Sequence, residues 1–248
     1  MVNIRSTDVF RQLKLFLEWG AMERKTDPVA ALAALNEPVR RRIYYHVVSG
    51  ASEVSRDVTA AELGVPRSVA AFHLDKLVEA GLLEVEYRRP PGRGGPGAGR
   101  PAKWYRRAAG EINVSIPERR YVLAAALLAH AVERAIGGVV GVDEALRNVA
   151  REQGYEIGKL LDRTGSERGS VARHLTELLV EHGFEPRMSS GLITLTNCPF
   201  HVLADEYREL ICSMNHELLC GVAAAAGLPA SAARLDPAPG RCCVTLVA

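Results

Sequence analysis

The sequence predicts an α+β protein made of two domains, and three observations support this. Two helical segments separated by a short turn are followed by two alternating strands. Residues 1–107 carry 18 Lys and Arg against 12 Asp and Glu, whereas residues 108–248 carry 13 against 17. All five cysteines lie after residue 197. The predicted parts are an N-terminal amphipathic helix (1–27), a first domain (28–110) and a second domain (111–248).

Composition limits the class of protein. With 248 residues, 48% of them hydrophobic, the chain can bury one large core or two small ones. It has no apolar run of the length that a membrane span needs, and its first residues are too polar for a secretory signal. We therefore expect no membrane segment and a cytoplasmic location, where thiols rarely form structural disulfides.

The first domain has a helix–turn–helix pattern. A helix is predicted at Val39–Val48, and Thr59 is the predicted N-cap of a short helix, Ala60–Leu63. Gly64 can end that helix in a left-handed conformation. A second helix, Arg67–Ala80, follows with apolar residues at helical spacing. This order is typical of a unit that places its second helix in the major groove of duplex DNA.

Two strands and a basic loop follow the second helix. The strands are predicted at Leu82–Arg89 and Lys103–Arg107, which makes the first domain a winged helix-turn-helix. Residues 90–100 between them are rich in Gly and Pro, so they favour neither helix nor strand. Basic residues in and beside this predicted wing are candidates for phosphate contacts: Arg88, Arg89, Arg93, Arg100 and Lys103.

The segment TAAELGVPRSVAAFHLDKLVEAGLL, with GRPAKWYR after the loop, resembles the winged-helix region of the bacterial suf-operon repressor family, relatives of the ArsR-type regulators. The resemblance implies that five residues face the DNA groove: Arg67, Ser68, Ala71, Phe72 and Lys76. Arg67 and Ser68 are the candidates for hydrogen bonds to base edges, since Ala71 and Phe72 offer only apolar contacts. His73 either touches phosphate or packs beside the wing.

The middle of the chain is predicted to be helical. After a connector at Val114–Ile116, Pro117 begins a long helix, Glu118–Ile136, and two more helices are expected at Asp143–Leu161 and Ser170–His182. The first of these is more apolar than a single surface helix requires. We expect a helix of this segment to pack against a second copy, because such regulators read palindromic operators as homodimers. The alternative is that Glu118–Ile136 is only a core helix.

The elements around the cysteines predict a small antiparallel sheet next to a helix. A hairpin is expected from the strands Phe184–Met188 and Leu192–Thr196. A helix, His201–Ala226, and a closing strand, Arg241–Val247, are predicted to follow. In that strand Cys242 shares a face with the buried residues, and Cys243 points the other way.

Three cysteines would converge if this helix packs on the sheet: Cys198 from a turn before Pro199, Cys212 from the helix and Cys242 from the strand. Three thiolates suit an iron–sulfur cluster, because iron in clusters prefers soft ligands. From spacing alone, a cluster, zinc or another metal, a thiol redox switch and inert buried cysteines all remain open. Candidates for a fourth ligand are His216, Cys220, Cys243, His201 or an external small molecule.

The segments NCPFHVLADEYRELICSMNHELLCG and PGRCCVTL resemble the C-terminal sensor region of the same repressor family. The resemblance implies an iron–sulfur cluster on Cys198, Cys212 and Cys242, of the 4Fe–4S rather than the 2Fe–2S type. It also implies a transcriptional repressor that responds to cluster or redox status. The alternative is a winged-helix regulator that responds to a metal or to thiol oxidation and has no cluster.

An enzymatic function is not indicated. Cys198 with His201 or His216 resembles a nucleophile with a base, but the sequence offers no third orienting group and no recognisable oxyanion site. Phosphate-binding loops, dinucleotide fingerprints, zinc-protease motifs and nucleophile elbows are not found in the sequence.

Overall fold

The computed structural model describes residues 27–89, 101–138, 140–161, 168–229 and 231–248. The chain divides into two compact units, with the division after Val114. The predicted N-terminal helix, apart from its last residue, lies outside the described residues. So do Arg93, Arg100 and the rest of the predicted wing loop. Within the described parts, no helix is long and apolar enough to cross a membrane.

The first unit is a helical core with a small antiparallel sheet. Its described elements are α1 (Pro28–Ala34), α2 (Pro38–Ser49), β1 (Val54–Ser55), α3 (Arg56–Leu63), α4 (Arg67–Glu79), β2 (Leu83–Arg88) and β3 (Ala102–Arg107). The strand order is β1–β3–β2, and both pairs are antiparallel. Strand β1 and helix α1 were not among the predicted elements. The core of this unit centres on Ile43, Leu74, Leu77 and Tyr105, all fully buried.

The start of α3 differs from the prediction. Thr59 is not the N-cap: it lies inside α3, fully buried, and its hydroxyl donates to the Ser55 carbonyl at 2.9 Å. Ser55 caps the helix instead, because its side-chain oxygen accepts the Val58 N–H at 3.2 Å. Gly64 ends α3 at φ 64°, a left-handed conformation that costs glycine little. The turn Gly64–Pro66 then leads into α4.

The second unit combines helices with a four-stranded antiparallel sheet. Its described elements are α5 (Tyr121–Ile136), α6 (Val142–Gly158), α7 (Arg168–Glu181), β4 (Pro186–Ser189), β5 (Leu192–Leu195), α8 (His201–Glu206), α9 (Arg208–Ala225), β6 (Ala233–Leu235) and β7 (Val244–Val247). The strand order is β4–β5–β7–β6. Strand β6, which pairs with β7, was not predicted.

Several predicted boundaries in this unit are wrong; strand β4, for example, begins at Pro186 rather than Phe184. Helix α5 begins at Tyr121 rather than Glu118, since Arg120 has a non-helical backbone (φ −120°, ψ 47°). The predicted helix His201–Ala226 is two helices, because Tyr207 leaves the helical conformation (φ −126°, ψ 53°). Strand β7 begins at Val244 rather than Arg241, so Cys242 and Cys243 precede it.

Helices α6 and α9 pack backbone against backbone through glycines. A Cβ on Gly154 would lie 1.8 Å from the Leu218 carbonyl oxygen, and one on Gly221 would lie 2.1 Å from the Arg151 carbonyl oxygen. Gly158 faces α9 in the same way, with Val222 carbonyl oxygen 2.8 Å from its ideal Cβ position. The close approach fixes the position of α9, which carries Cys212.

Candidate functional site

Helix α4 presents an exposed face. Its opposite face is fixed in the core by Ala70, Leu74 and Leu77, none of which is exposed to solvent. Arg67 and Ser68 in its first turn are exposed, as is Phe72, at 55%. Ala71 and Lys76 are partly exposed. An exposed apolar ring on a helix in this position offers a contact surface for thymine methyl groups.

Three of the predicted DNA-contacting cations on α4 and β2 are ion-paired, while Arg89 just after β2 is exposed. Arg67 pairs with Asp57, Lys76 with Glu79 at 2.6 Å, and Arg88 with both Glu53 and Glu86. Exposed pairs of this kind contribute only about 0–1 kcal/mol. The basic side chains can therefore exchange their acidic partners for phosphate at small cost.

Lys103 differs from those cations because it belongs to a partly buried network centred on Asp75. The Asp75 carboxylate accepts from Lys103 at 2.9 Å, from the Tyr105 hydroxyl at 2.8 Å and from Arg56 at 2.5 Å. Arg56 Nε also donates to the Tyr105 oxygen at 2.8 Å. Burial raises the pKa of Asp75, but these three donors outweigh it and lower the pKa overall. The network joins α3, α4 and β3.

Asp75 was not predicted as a functional residue. One acid on an amphipathic helix that also carries Glu79 gives no sequence signal, because the partners of Asp75 come from residues 56, 103 and 105. His73, for which the sequence left two interpretations open, contacts residues at the start of α2 in the described part of the chain. Its ring lies 3.4 Å from Arg40 Nε and 3.5 Å from a Glu37 carboxylate oxygen.

Four cysteines line one cleft in the second unit, which we call the cysteine cleft. Its volume is about 610 Å³, and its thiols are those of Cys198, Cys212, Cys242 and Cys243. Three guanidinium groups share it, and so do His201 and Asp205, which pair with each other at 3.5 Å. The arginines are Arg119, Arg208 and Arg241. All five cysteines of the chain are free thiols.

Hydrogen bonds hold two of these cysteines in place. Arg119 donates to the Cys198 carbonyl at 3.0 Å and to the side-chain oxygen of the neighbouring Asn197. Asn197 in turn donates to Gly183 O at 2.6 Å. The Cys242 N–H donates to the Leu195 carbonyl at 2.8 Å, which ties the segment before β7 to the end of β5. The turn after β5 and the segment before β7 therefore meet at one end of the two central strands of the sheet.

Asn215 contacts the site from α9. It is fully buried, and its Nδ2 lies 3.2 Å from Cys242 Sγ. Its Oδ1 is buried and finds no hydrogen-bond partner within the described residues. Asn215 is one turn after Cys212 on the same helix, so both side chains approach the cysteine cleft. No sequence pattern predicted a functional role for Asn215.

Three thiols of the cleft, those of Cys198, Cys212 and Cys242, have a pKa above that of free cysteine. Contact with Cys242, together with burial, raises the pKa of Cys198. Burial also raises the pKa of Cys212. At Cys242 the contact with Cys198 lowers the pKa, but Cys243 and burial outweigh it and raise it to about 11. Binding of a metal ion or cluster would therefore displace protons from these thiols, because the thiolate is the form that acts as a ligand.

His216 and Cys220 do not line the cysteine cleft. Cys220 Sγ lies 3.5 Å from His216 Nε2, which is 3.3 Å from the Ala233 carbonyl oxygen. Burial raises the pKa of Cys220.

No three His, Cys, Asp or Glu side chains in the described parts form a ready site for a single metal ion. Zinc would need its thiolates about 2.3 Å from one centre. A cluster binds each thiolate to a different iron and so suits a wider arrangement.

Comparison with known proteins identifies the first unit. A family model described as a helix-turn-helix domain matches residues 35–86, the region from just before α2 through most of β2. No curated protein and no solved structure matches the chain. The match supports a winged-helix type of DNA-binding transcriptional regulator.

Proposed function

We propose that the chain is a homodimeric transcriptional repressor that binds palindromic operator DNA through α4 and responds to an iron–sulfur cluster held in the cysteine cleft. The observation that carries this proposal is the convergence of Cys198, Cys212 and Cys242 on one cleft, in a chain that also has a helix-turn-helix domain. The cluster, of the 4Fe–4S type, would supply a redox-sensitive group that soft thiolate ligands retain. As predicted from the sequence, the protein would act in the cytoplasm.

The donor set of the cleft fits such a guest. Thiols are the ligands that iron–sulfur clusters use, and the three arginines suit the net negative charge of a thiolate-bound cluster. Each cysteine comes from a separate element: Cys198 from the turn after β5, Cys212 from α9 and Cys242 from the segment before β7. Binding of a cluster would hold these three elements together, and loss of the cluster would release them from one another.

Helix α5 supports the proposed homodimer. One face of α5 is buried, with Ala124, Leu127 and Ala131 in the core. The other face presents apolar residues at alternating spacings of three and four, which is the pattern of a helix-pairing seam. This exposed α5 stripe consists of Val122, Ala125, Ala129, Val132 and Ile136. A second copy of the chain, related by two-fold symmetry, would bury it.

Repression would depend on a bistable second unit. Helix α9, which carries Cys212, packs tightly on α6, and α6 packs on α5. A change at the cleft would therefore reach the α5 stripe through directly packed helices. The state with a filled cleft would favour the dimer geometry that binds the operator, and the released state would bind it less tightly.

A second candidate is a thiol redox switch without a cluster. The placement of Cys198 and Cys242 in one cleft favours it, since an oxidant can convert two thiols that share a cleft to a disulfide. The two functions predict different chromophores and different metal contents, so one experiment separates them.

The test is iron and acid-labile sulfide analysis of anaerobically purified protein, with an absorption spectrum. Wild type and Cys220→Ser should contain iron and sulfide and absorb in the visible range, while Cys212→Ser should not. Cys220 is a matched control because it is a cysteine on the same helix outside the cleft. Colourless, metal-free wild type that forms a Cys198–Cys242 disulfide would favour the redox switch instead.

DNA binding is tested separately, with an operator selected from a random duplex library. Arg67→Ala should weaken binding to the selected operator by about 1–3 kcal/mol and to random DNA far less. Binding should also fall steeply with salt. Equal losses on both DNAs would make Arg67 a phosphate contact rather than a base contact.

A further inference from the structure

The two adjacent cysteines before β7 face the same cleft. In an extended strand, consecutive side chains point to opposite faces, which is why the sequence predicts that Cys243 points away from Cys242. Because β7 begins only at Val244, the backbone at both cysteines is irregular, and both thiols line the cysteine cleft.

Backbone hydrogen bonds fix this arrangement. The Cys242 N–H donates to Leu195 O at 2.8 Å, and the Cys243 carbonyl accepts from the Asp236 N–H at 2.8 Å. An ion pair between Arg241 and Asp236 at 2.6 Å closes the loop that leads into the two cysteines. Cys242 is therefore held by a backbone hydrogen bond to Leu195, and Cys243 by one from Asp236.

Cys243 adds a fourth cysteine to the cleft that Cys198, Cys212 and Cys242 line. The other protein candidates for a fourth ligand are less well placed. His216 and Cys220 contact each other outside the cleft, and His201 is largely exposed and pairs with Asp205.

We propose that Cys243 is a fourth cluster ligand, so that the chain supplies one thiolate to every iron of a 4Fe–4S centre. This inference rests on the proposed function. On ligation the Cys243 thiol loses its proton to solvent and its sulfur binds iron, with no change in oxidation state. The three arginines that line the cleft, Arg119, Arg208 and Arg241, favour the additional negative charge.

The test compares Cys243→Ala with Cys220→Ala, both reconstituted anaerobically with iron and sulfide. Cys243→Ala should lose iron to a chelator about tenfold faster or more, and mild oxidation should give the electron paramagnetic resonance signal of a three-iron cluster. Added 2-mercaptoethanol, which can bind the open iron, should slow the loss. Cys220→Ala should behave as wild type.

A measurement on the wild-type chain makes the test independent of how the variant folds. Alkylation followed by mass spectrometry should modify Cys243 in the metal-free protein and not in the reconstituted protein. Equal labelling in both forms, or a Cys243→Ala variant that retains iron as Cys220→Ala does, would overturn this inference alone. Wild type that takes up neither iron nor sulfide would overturn the proposed function together with it.

Discussion

At the scale of single residues, the partly buried Asp75 and the buried Asn215 make contacts that their sequence neighbours do not reveal. Asp75 holds three donors from α3 and β3, and Asn215 holds its amide against Cys242 Sγ. Each contact joins residues far apart in the chain. Buried polar groups are costly unless they are satisfied, so their partners define which arrangement of elements is stable.

Asp75→Asn should destabilise the first unit by about 1–3 kcal/mol, because the three donors lose a charged acceptor. Partial exposure of the carboxylate places the effect at the lower end. Since folding lowers the pKa of Asp75, its contribution is present at neutral pH and is lost as pH falls through the folded-state pKa. In urea unfolding, the gap between wild type and variant should therefore narrow below about pH 4.

The control for this prediction is Asp57→Asn, which removes an exposed acid from its pair with Arg67. We expect it to change the unfolding free energy by less than about 0.5 kcal/mol. A gap between wild type and Asp75→Asn that stays constant from neutral to acid pH would contradict the role given to the carboxylate.

Asn215→Leu tests the amide beside Cys242. Loss of an N–H···S contact should lower the reduction potential of the proposed cluster, because such donors stabilise the more negative reduced state. Unfolding of the metal-free protein should change little, since Leu also removes a buried oxygen without a partner in the described chain. Anaerobic redox titration measures the first effect and thermal unfolding the second.

Asn148→Leu on the exposed side of α6 is the matched control for Asn215→Leu, and it should leave the potential unchanged. A potential in Asn215→Leu equal to that of wild type would show that the amide does not act on the cluster.

At the scale of elements, glycines set the distance between α6 and α9. Gly154 and Gly221 leave no room for a methyl group. An added Cβ would lie only 1.8 Å and 2.1 Å, respectively, from a carbonyl oxygen of the facing helix. Neither residue has a positive φ, so the reason for glycine is close packing and not backbone freedom. The position of Cys212 on α9 depends on this contact.

Gly221→Ala should force the two helices apart and lower the unfolding free energy of the second unit by about 1–3 kcal/mol or more. Chemical denaturation followed by circular dichroism measures it. Gly141→Ala, at the open N-terminus of α6 where an added Cβ meets nothing within 4 Å, should cost at most about 1 kcal/mol. Equal stability losses would refute the packing argument.

At the scale of the whole molecule, the α5 stripe is the surface through which two copies are proposed to meet. Ile136 is 81% exposed and Val132 46% exposed in the single chain, whereas Ala124, Leu127 and Ala131 on another face of α5 are buried. A contiguous apolar surface of this kind usually marks an interaction site.

Val132→Glu should convert the dimer to a monomer, because two carboxylates would face each other across the symmetry axis. Sedimentation equilibrium measures the change, and binding to a palindromic operator should weaken far more than binding to a half-site. Val180→Glu on α7, where the valine is 55% exposed, is the control and should remain dimeric. A Val132→Glu variant that stays dimeric would place the interface elsewhere.

Local sequence patterns were enough to predict the helix-turn-helix. The turn at Gly64–Pro66, the apolar period of α4 and the alternation of β2 depend only on neighbouring residues, and the domain match agrees with them. Boundaries were less accurate where tertiary contacts decide them. Thr59 looked like a cap but is buried, and Tyr207 interrupts a helix that its flanking sequence favours.

The sequence by itself determined which residue types were available: an amphipathic second helix in the helix-turn-helix, and cysteines confined to the last fifth of the chain. Only the tertiary structure decided which of those cysteines share a cleft, because that depends on where β7 begins and how closely α9 packs on α6. Cys243 joined the cleft and Cys220 did not for this reason. Side chains separated by tens of residues meet only when the packing of whole elements brings them together, and no local pattern encodes that packing.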